Sequence, residues 1–332
     1  MTIIKFESPV SVSEAIAQAM PYEVIKAPMF ADLRALPDYA NRPHQGITTH
    51  MATVRSDNGA RLGVVGSDYE VVQASRAFEP AQSLIDAGVA TVARAGEYEG
   101  GRVQFLELAL RTDRPIEVAV GDTMRQTITF TNSHNGSSSL RAIYQLWRLV
   151  CMNGMQRPET SSLFRARHTA GVYVQLDRAR AEIAQRFAAV ESEVEIFRRL
   201  LGKRLSDKNL VRYVRETLVE GAGNDPDIKV RNVDRIVELA HTAPGATPGT
   251  LYGGLNAVTY WATHERGRTA DARATGLLFG QSGALLQRAT DVAVRYAEKL
   301  PDAATMGYMA AQAVATASAE LGLLLAKPSA IV

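Results

Sequence analysis

Between Thr123 and Thr131 the chain alternates with period two. Met124, Ile128 and Phe130 fall on one side of an extended segment, and Arg125, Thr127, Thr129 and Thr131 fall on the other. That pattern predicts a strand with one face in a core. Leu140, Ile143, Tyr144 and Trp147 fit helical spacing, but Asn135-Gly136 and three serines precede them, so a strand returning antiparallel is the preferred reading of Leu140 to Val150. In that register Arg141, Gln145 and Trp147 join the polar face of the first strand, and Arg148 points the other way.

Hairpins also lie upstream. Thr53 to Arg55 and Arg61 to Val65 flank Asp57-Asn58-Gly59, a strong turn signal. A helix from about Ser75 to Asp86 stops at Gly88. Val89 to Ala95 and Arg102 to Leu110 then flank the turn Gly96 to Gly101. Before Ile47 the chain reads as an arm. Ser11 or Ser13 caps a short helix over Ala15 to Met20, and Pro21, Pro28, Pro37 and Pro43 imply an extended path. Such an arm packs on its own core or on a neighbouring subunit.

After Asp177 the period becomes helical. Ile183, Phe187, Val190, Val194, Phe197 and Leu201 form one amphipathic stripe over Arg178 to Lys203. Leu210 to Val219, Val230 to Ala240, Leu251 to His264 and Ala284 to Leu300 continue the theme, and an Ala/Leu-rich tail follows. The expected class is α+β: an antiparallel, hairpin-rich core followed by a helical C-terminal half. The expected segments are an arm over 1–46, a β-rich core over 47–176, a helical region over 177–300 and a terminal helix or tail over 301–332.

Composition changes this picture little. Of 332 residues 46% are hydrophobic and 22% charged, and the net charge is +2, so nucleic-acid binding would have to rest on local clustering. One cysteine excludes an internal disulfide framework. No apolar run is long enough for a membrane span and no secretory signal opens the chain, so the expected address is cytoplasmic.

The candidate chemistry is concentrated in the central ribbon. The loop Asn132-Ser133-His134-Asn135-Gly136-Ser137-Ser138-Ser139 has the small, hydrogen-bonding character of an anion cradle, although an ordinary hairpin loop has the same composition. Phe164-Arg165-Ala166-Arg167-His168 adds cations beside an aromatic ring, the mixture used to hold single strands. A nucleophilic reading of Cys151 with His134 or His168 competes with the plainer one, a small buried thiol and structural imidazoles. The six histidines show no metal-ligand spacing, and neither metal nor cofactor is expected.

Several motifs occur in order: Asn132-Ser133-His134-Asn135-Gly136-Ser137, Arg148-Leu149-Val150-Cys151-Met152-Asn153, Arg167-His168-Thr169, Leu255-Asn256-Ala257-Val258-Thr259 and Leu278-Phe279-Gly280. From about Ile47 to about Ala297 the chain resembles the phage/plasmid-like protein family, domain of unknown function 932. Relatives often carry Asp where this chain has Asn135, which argues against a catalytic acid or metal ligand there. The resemblance implies a setting in replication, recombination or conflict with host defence, without an assigned activity. The ribbon backed by helices is also similar in outline to single-strand annealing proteins. The expectation is therefore a sequence-tolerant binder of single-stranded DNA, assembling as a ring or filament. Its contacts would be Arg125, Asn132, Ser133, His134, Asn135, Ser137, Arg141, Trp147, Arg165, Arg167 and His168. The alternatives are a nucleotide- or nucleic-acid-processing enzyme using His134, Cys151 and His168, and an interaction protein.

Overall fold

Thr123–Ser133 and Leu140–Arg148 form the predicted ribbon, with Thr131 opposite Arg141 and Met124 opposite Arg148. Gly136, at the centre of that symmetry, has φ 74°, which a residue with a Cβ adopts only under strain. The computed structural model describes residues 2–300 except 37, 39–41, 43, 112–115, 120, 149–152, 156–161, 188–191, 220–225 and 279. The class is α+β, with antiparallel sheets in the N-terminal half and helices in the C-terminal half.

The larger sheet has eight strands among the described residues. Its main path runs β1 (Thr2–Lys5), β5 (Ala90–Tyr98), β6 (Val103–Leu110), β8 (Thr123–Ser133), β9 (Leu140–Arg148) and β10 (Asn153–Met155). β7 (Ile116–Glu117) pairs with β8, and β11 (Ser162–Ala166) pairs with β9. A second sheet joins β2 (Val24–Asp32), β3 (His44–Arg55) and β4 (Arg61–Gly66) through the predicted Asp57-Asn58-Gly59 turn.

The region read as an arm is thus built into the sheets. β1 pairs with β5 of the same chain, β2 pairs with β3, and the expected boundary at residue 46 falls inside β3. Pro28 is accommodated where the β2–β3 register shifts between Pro28 and Met29. Between these strands lies α1 (Val12–Ala19). Ser11 Oγ accepts from the Glu14 backbone N–H at 3.2 Å, and Glu14 accepts from the Ser11 N–H at 2.7 Å. This capping box starts the helix at Val12, earlier than the apolar spacing alone suggested.

The helix expected over Ser75 to Asp86 is two short ones, α2 (Ala74–Ala77) and α3 (Glu79–Asp86), separated at the fully buried Phe78. The single stripe expected over Arg178 to Lys203 is likewise α4 (Val172–Phe187) and α5 (Ser192–Leu201). The expected boundary at 176 lies inside α4. Then follow α6 (Asp207–Val219), α7 (Pro226–Thr242), α8 (Leu251–Tyr260), α9 (Ala270–Leu278) and α10 (Gln281–Ala297). Periodicity did not reveal α9, whose faces differ little in polarity. α8 is buried on every side from Leu251 to Thr259 and serves as the axis of the helical half. It continues into a π-helical turn, Trp261–Glu265. The expected terminal helix lies outside the described residues.

One core joins both halves. Leu106, Leu108, Ile128, Phe130, Ala142, Tyr144 and Leu146 on the inner sheet face pack into the same cluster as Phe197, Tyr213, Tyr252 and Leu286 from the helices. No helix among the described residues is long and apolar enough to cross a membrane.

Candidate nucleic-acid interface

The outer face of the larger sheet carries the residues that the period-two pattern grouped together. Cross-strand register places Arg125, Thr127, Thr129 and Thr131 beside Trp147, Gln145, Ile143 and Arg141. β6 adds Phe105 and Glu107, and β5 adds Arg94 and Tyr98. The expectation that this face lies open to water is overturned along its middle. Thr127, Thr129, Thr131 and Gln145 are all buried. The unexpected helix contributes: Ala274 and Leu278 of α9 pack on Tyr98, Val103 and Phe105, and α9 faces Thr129 and Gln145 across a cavity, while Trp147 lies over Thr127. Threonine on a strand marks β propensity as readily as solvent.

What remains accessible is divided between two ends. Arg125 and Thr131 are six residues apart, so roughly 20 Å of strand separates them. At the first end Lys5, Arg94, Arg125 and Trp147 line an open trough of about 600 Å3, together with Glu7 and Glu107. Arg94 is committed to Glu107 through two 2.7 Å hydrogen bonds. Burial works against its charge, but Glu107 more than offsets that, and the guanidinium is held above its ordinary range. Arg94 Cζ also lies 5.9 Å from the Trp147 ring centre. Trp147 Nε1 donates to Thr127 Oγ1 at 3.0 Å, which fixes the indole. Lys5, Glu7 and Arg125 join no ion pair among the described residues, so two unneutralised cations face one carboxylate.

At the second end Arg141 and Arg165 stand side by side on β9 and β11. Both Nε groups donate to one acceptor, Ser139 Oγ, at 3.2 and 2.9 Å. Burial and then the like charge of Arg165 lower the Arg141 pKa. Arg165 and the following Arg167 are exposed.

The loop beyond this end is mostly turned inward. Ser133 Oγ donates to Asn135 Oδ1 at 2.7 Å, and the Ser137 N–H donates to the same oxygen at 3.0 Å, a tight Asx turn. Thr53 Oγ1 donates to the His134 carbonyl at 2.6 Å, and Tyr69 donates to the Ser133 carbonyl. The smaller sheet thus lies against the loop, leaving Gly136 and Ser137 exposed and Asn135 half-buried. Asn132, Ser133, His134 and His168 are buried and cannot serve as the expected surface contacts. Their polar side chains face neighbouring segments of the chain instead of an incoming strand.

His134 and His168 do lie in one region. His134 Nε2 meets Gln104 Oε1 at 2.9 Å, and His168 Nδ1 meets the Glu70 carbonyl at 3.0 Å. Because the Glu70 backbone oxygen can only accept, His168 Nδ1 carries the proton, whereas His134 Nε2 also faces Asn132 Nδ2 at 3.4 Å. Burial, and next His168, pushes the His134 pKa down to about 3. Burial also lowers His168, against the effect of its bond to Glu70. Tyr69 stacks on His168 at 4.7 Å. No hydrogen bond links the two imidazoles, and Cys151 lies outside the described residues. No group of three or more His, Cys, Asp or Glu is placed to hold a metal among the described residues.

Sequence reasoning missed Lys5, Arg94 and Glu107. A signal for the last two existed: they are equidistant from the Gly100-Gly101 turn and oppose one another across the β5–β6 hairpin. Lys5 had no such signal, because pairing of β1 with β5 spans nearly ninety residues of sequence.

No curated protein and no solved structure matches the chain. A family model, Domain of unknown function (DUF932), matches residues 61–292, which is more than half of its length. That span takes in β4 through β11 and all but the end of α10, with the cationic residues of the outer face other than Lys5, and the chain therefore belongs to the DUF932 family.

Proposed function

We propose that this protein binds single-stranded nucleic acid, DNA in the first instance, at the outer face of its larger sheet. The observation that supports this reading most is the trough at Trp147, where Lys5 and Arg125 flank an indole held in place by Thr127. A fixed aromatic ring beside unneutralised cations suits a chain of alternating bases and phosphates, because every base offers a π-face and every linkage a charge. Arg141, Arg165 and Arg167 provide a second phosphate-binding region about 20 Å along the strands. The contact set is therefore Lys5, Arg125, Trp147, Arg141, Arg165 and Arg167, with Ser137 at the loop tip. The buried loop residues take no part.

Titration with a labelled single-stranded oligonucleotide tests the proposal. Affinity is expected to fall linearly on a log–log plot against salt, with a slope set by the few phosphates neutralised. Arg125→Glu and Arg165→Glu should each weaken binding and flatten that slope. Trp147 is one of two tryptophans, so its fluorescence, isolated in a Trp261→Phe background, should be quenched on binding. Absence of salt-sensitive binding would end this reading.

A further inference from the structure

The trough does not stop at Trp147. Behind it, under α9, is a second cavity of about 210 Å3 that shares Arg94, Glu107 and Trp147 with the open trough. Lys5 and Arg125 line only the first, whereas Arg273 of α9 lines the second. The second has one aromatic wall, Tyr98 and Phe105, stacked on each other at 4.8 Å and 16°. Arg273, Ala274, Leu277 and Leu278 of α9 line it from the helical side.

Polar groups share this lining with the aromatic pair. Along the sheet, Thr129 Oγ1 lies 3.1 Å from Gln145 Oε1 and 3.4 Å from Glu107 Oε2, a row of donors and acceptors spanning three strands. The lining also includes Thr263, in the π-helical turn, whose buried Oγ1 has no hydrogen-bond partner. A buried hydroxyl without a partner is costly, and a π turn in a helix is frequently found at functional sites. An aromatic wall with hydrogen-bonding groups around the same space fits a planar heteroaromatic ring. The space adjoins the compartment that Lys5 and Arg125 line.

We infer that the roofed cavity receives one nucleobase, turned out of the strand and inserted past Trp147 under α9 while its flanking phosphates stay with Lys5 and Arg125. This rests on the proposed strand binding and adds to it a mode of engagement: one base per protein chain lies under α9, and the rest of the strand stays outside. Stacking against the aromatic wall and pairing of the ring edge with Gln145, Glu107 or Thr263 would then contribute affinity that phosphates alone cannot supply.

The test compares an intact oligonucleotide about twelve nucleotides long with one of identical charge in which every position is abasic. The intact strand should bind about tenfold or more tightly, while the salt slopes of the two stay alike. Ala274→Trp fills the cavity from the α9 side without altering Lys5, Arg125 or Trp147, and should erase most of the difference between the strands. Should α9 not accommodate tryptophan, the near-isosteric Thr263→Val should reduce the same difference. Equal binding of abasic and intact strands, with salt dependence preserved, overturns the inserted base and leaves the strand-binding proposal standing. An undiminished preference in a folded Ala274→Trp variant also overturns it. Failure of both strands to bind removes both proposals.

Discussion

Arg94 meets Glu107 across the β5–β6 hairpin with its Nε and one terminal nitrogen each 2.7 Å from a different carboxylate oxygen. The pair sits on the wall shared by the open and the roofed compartment. Glu107 is buried at 9% side-chain exposure, whereas Arg94 keeps 32%. Its neutralisation is what allows a carboxylate to stand in a region proposed to receive a polyanion.

Removing the arginine should therefore be worse than removing both partners. Arg94→Ala leaves Glu107 buried and unpaired, at a cost of about 2 kcal/mol, below the range for a fully buried pair because Arg94 is partly solvated. The double variant Arg94→Met, Glu107→Gln should recover part of that loss. Urea denaturation of the three proteins gives the comparison, and equal destabilisation by the single and double changes would contradict it.

Stability should fall with acid through His134. Its pKa in the fold is pushed down to about 3, by burial first and then by His168. An imidazole released by unfolding titrates near 6.5, so the unfolded chain binds more protons between those values. Stability is thus fully present above about pH 6.5 and is lost toward pH 3, by up to about 1.4 kcal/mol per unit. His168, also lowered by burial, acts in the same direction. His134→Gln should make the curve of stability against pH shallower between pH 7 and 5, whatever it does to the absolute value. Parallel curves for the two proteins would sink the assignment.

The approach of the smaller sheet to the loop depends on Gly63. A Cβ there would stand 2.4 Å from the Asn135 Cα, against backbone that cannot swing aside. Gly63→Ala should lower the denaturation midpoint by the equivalent of about 1–3 kcal/mol, the usual cost of overpacking. Gly66→Ala, three residues on in open space, is the control and should have a much smaller effect. Indistinguishable midpoints would mean that the two sheets do not depend on this contact.

How much of this was legible beforehand differs by element. The ribbon, both upstream hairpins and the helical C-terminal half follow from period and turn chemistry, because those are local properties of neighbouring residues. The register of the ribbon followed too, since Gly136 lies midway between Thr131 and Arg141. Solvent exposure did not follow. Thr127, Thr129 and Thr131 read as a wet face, yet all three are buried, Thr127 under Trp147 and Thr129 facing α9. Likewise Asn132, Ser133 and His134 look like a surface cradle in sequence, whereas Thr53 of β3 and, from the segment after β4, Tyr69 and Val72 fold over them. Long-range burial of short polar runs has no local signature, so the site shifted from the loop to the trough.

The pairing of β1 with β5 carries a practical consequence for anyone altering the front of this chain. Trimming residues 2–5 would strip Lys5 from the trough and, in the same stroke, bare the backbone from Arg94 to Glu97 along a sheet margin ready to recruit another polypeptide. A shortened protein that lost ligand affinity would be uninterpretable, since clumping and a missing ammonium group give the same readout. Only a side-chain exchange such as Lys5→Met, which leaves the seam closed, separates the two.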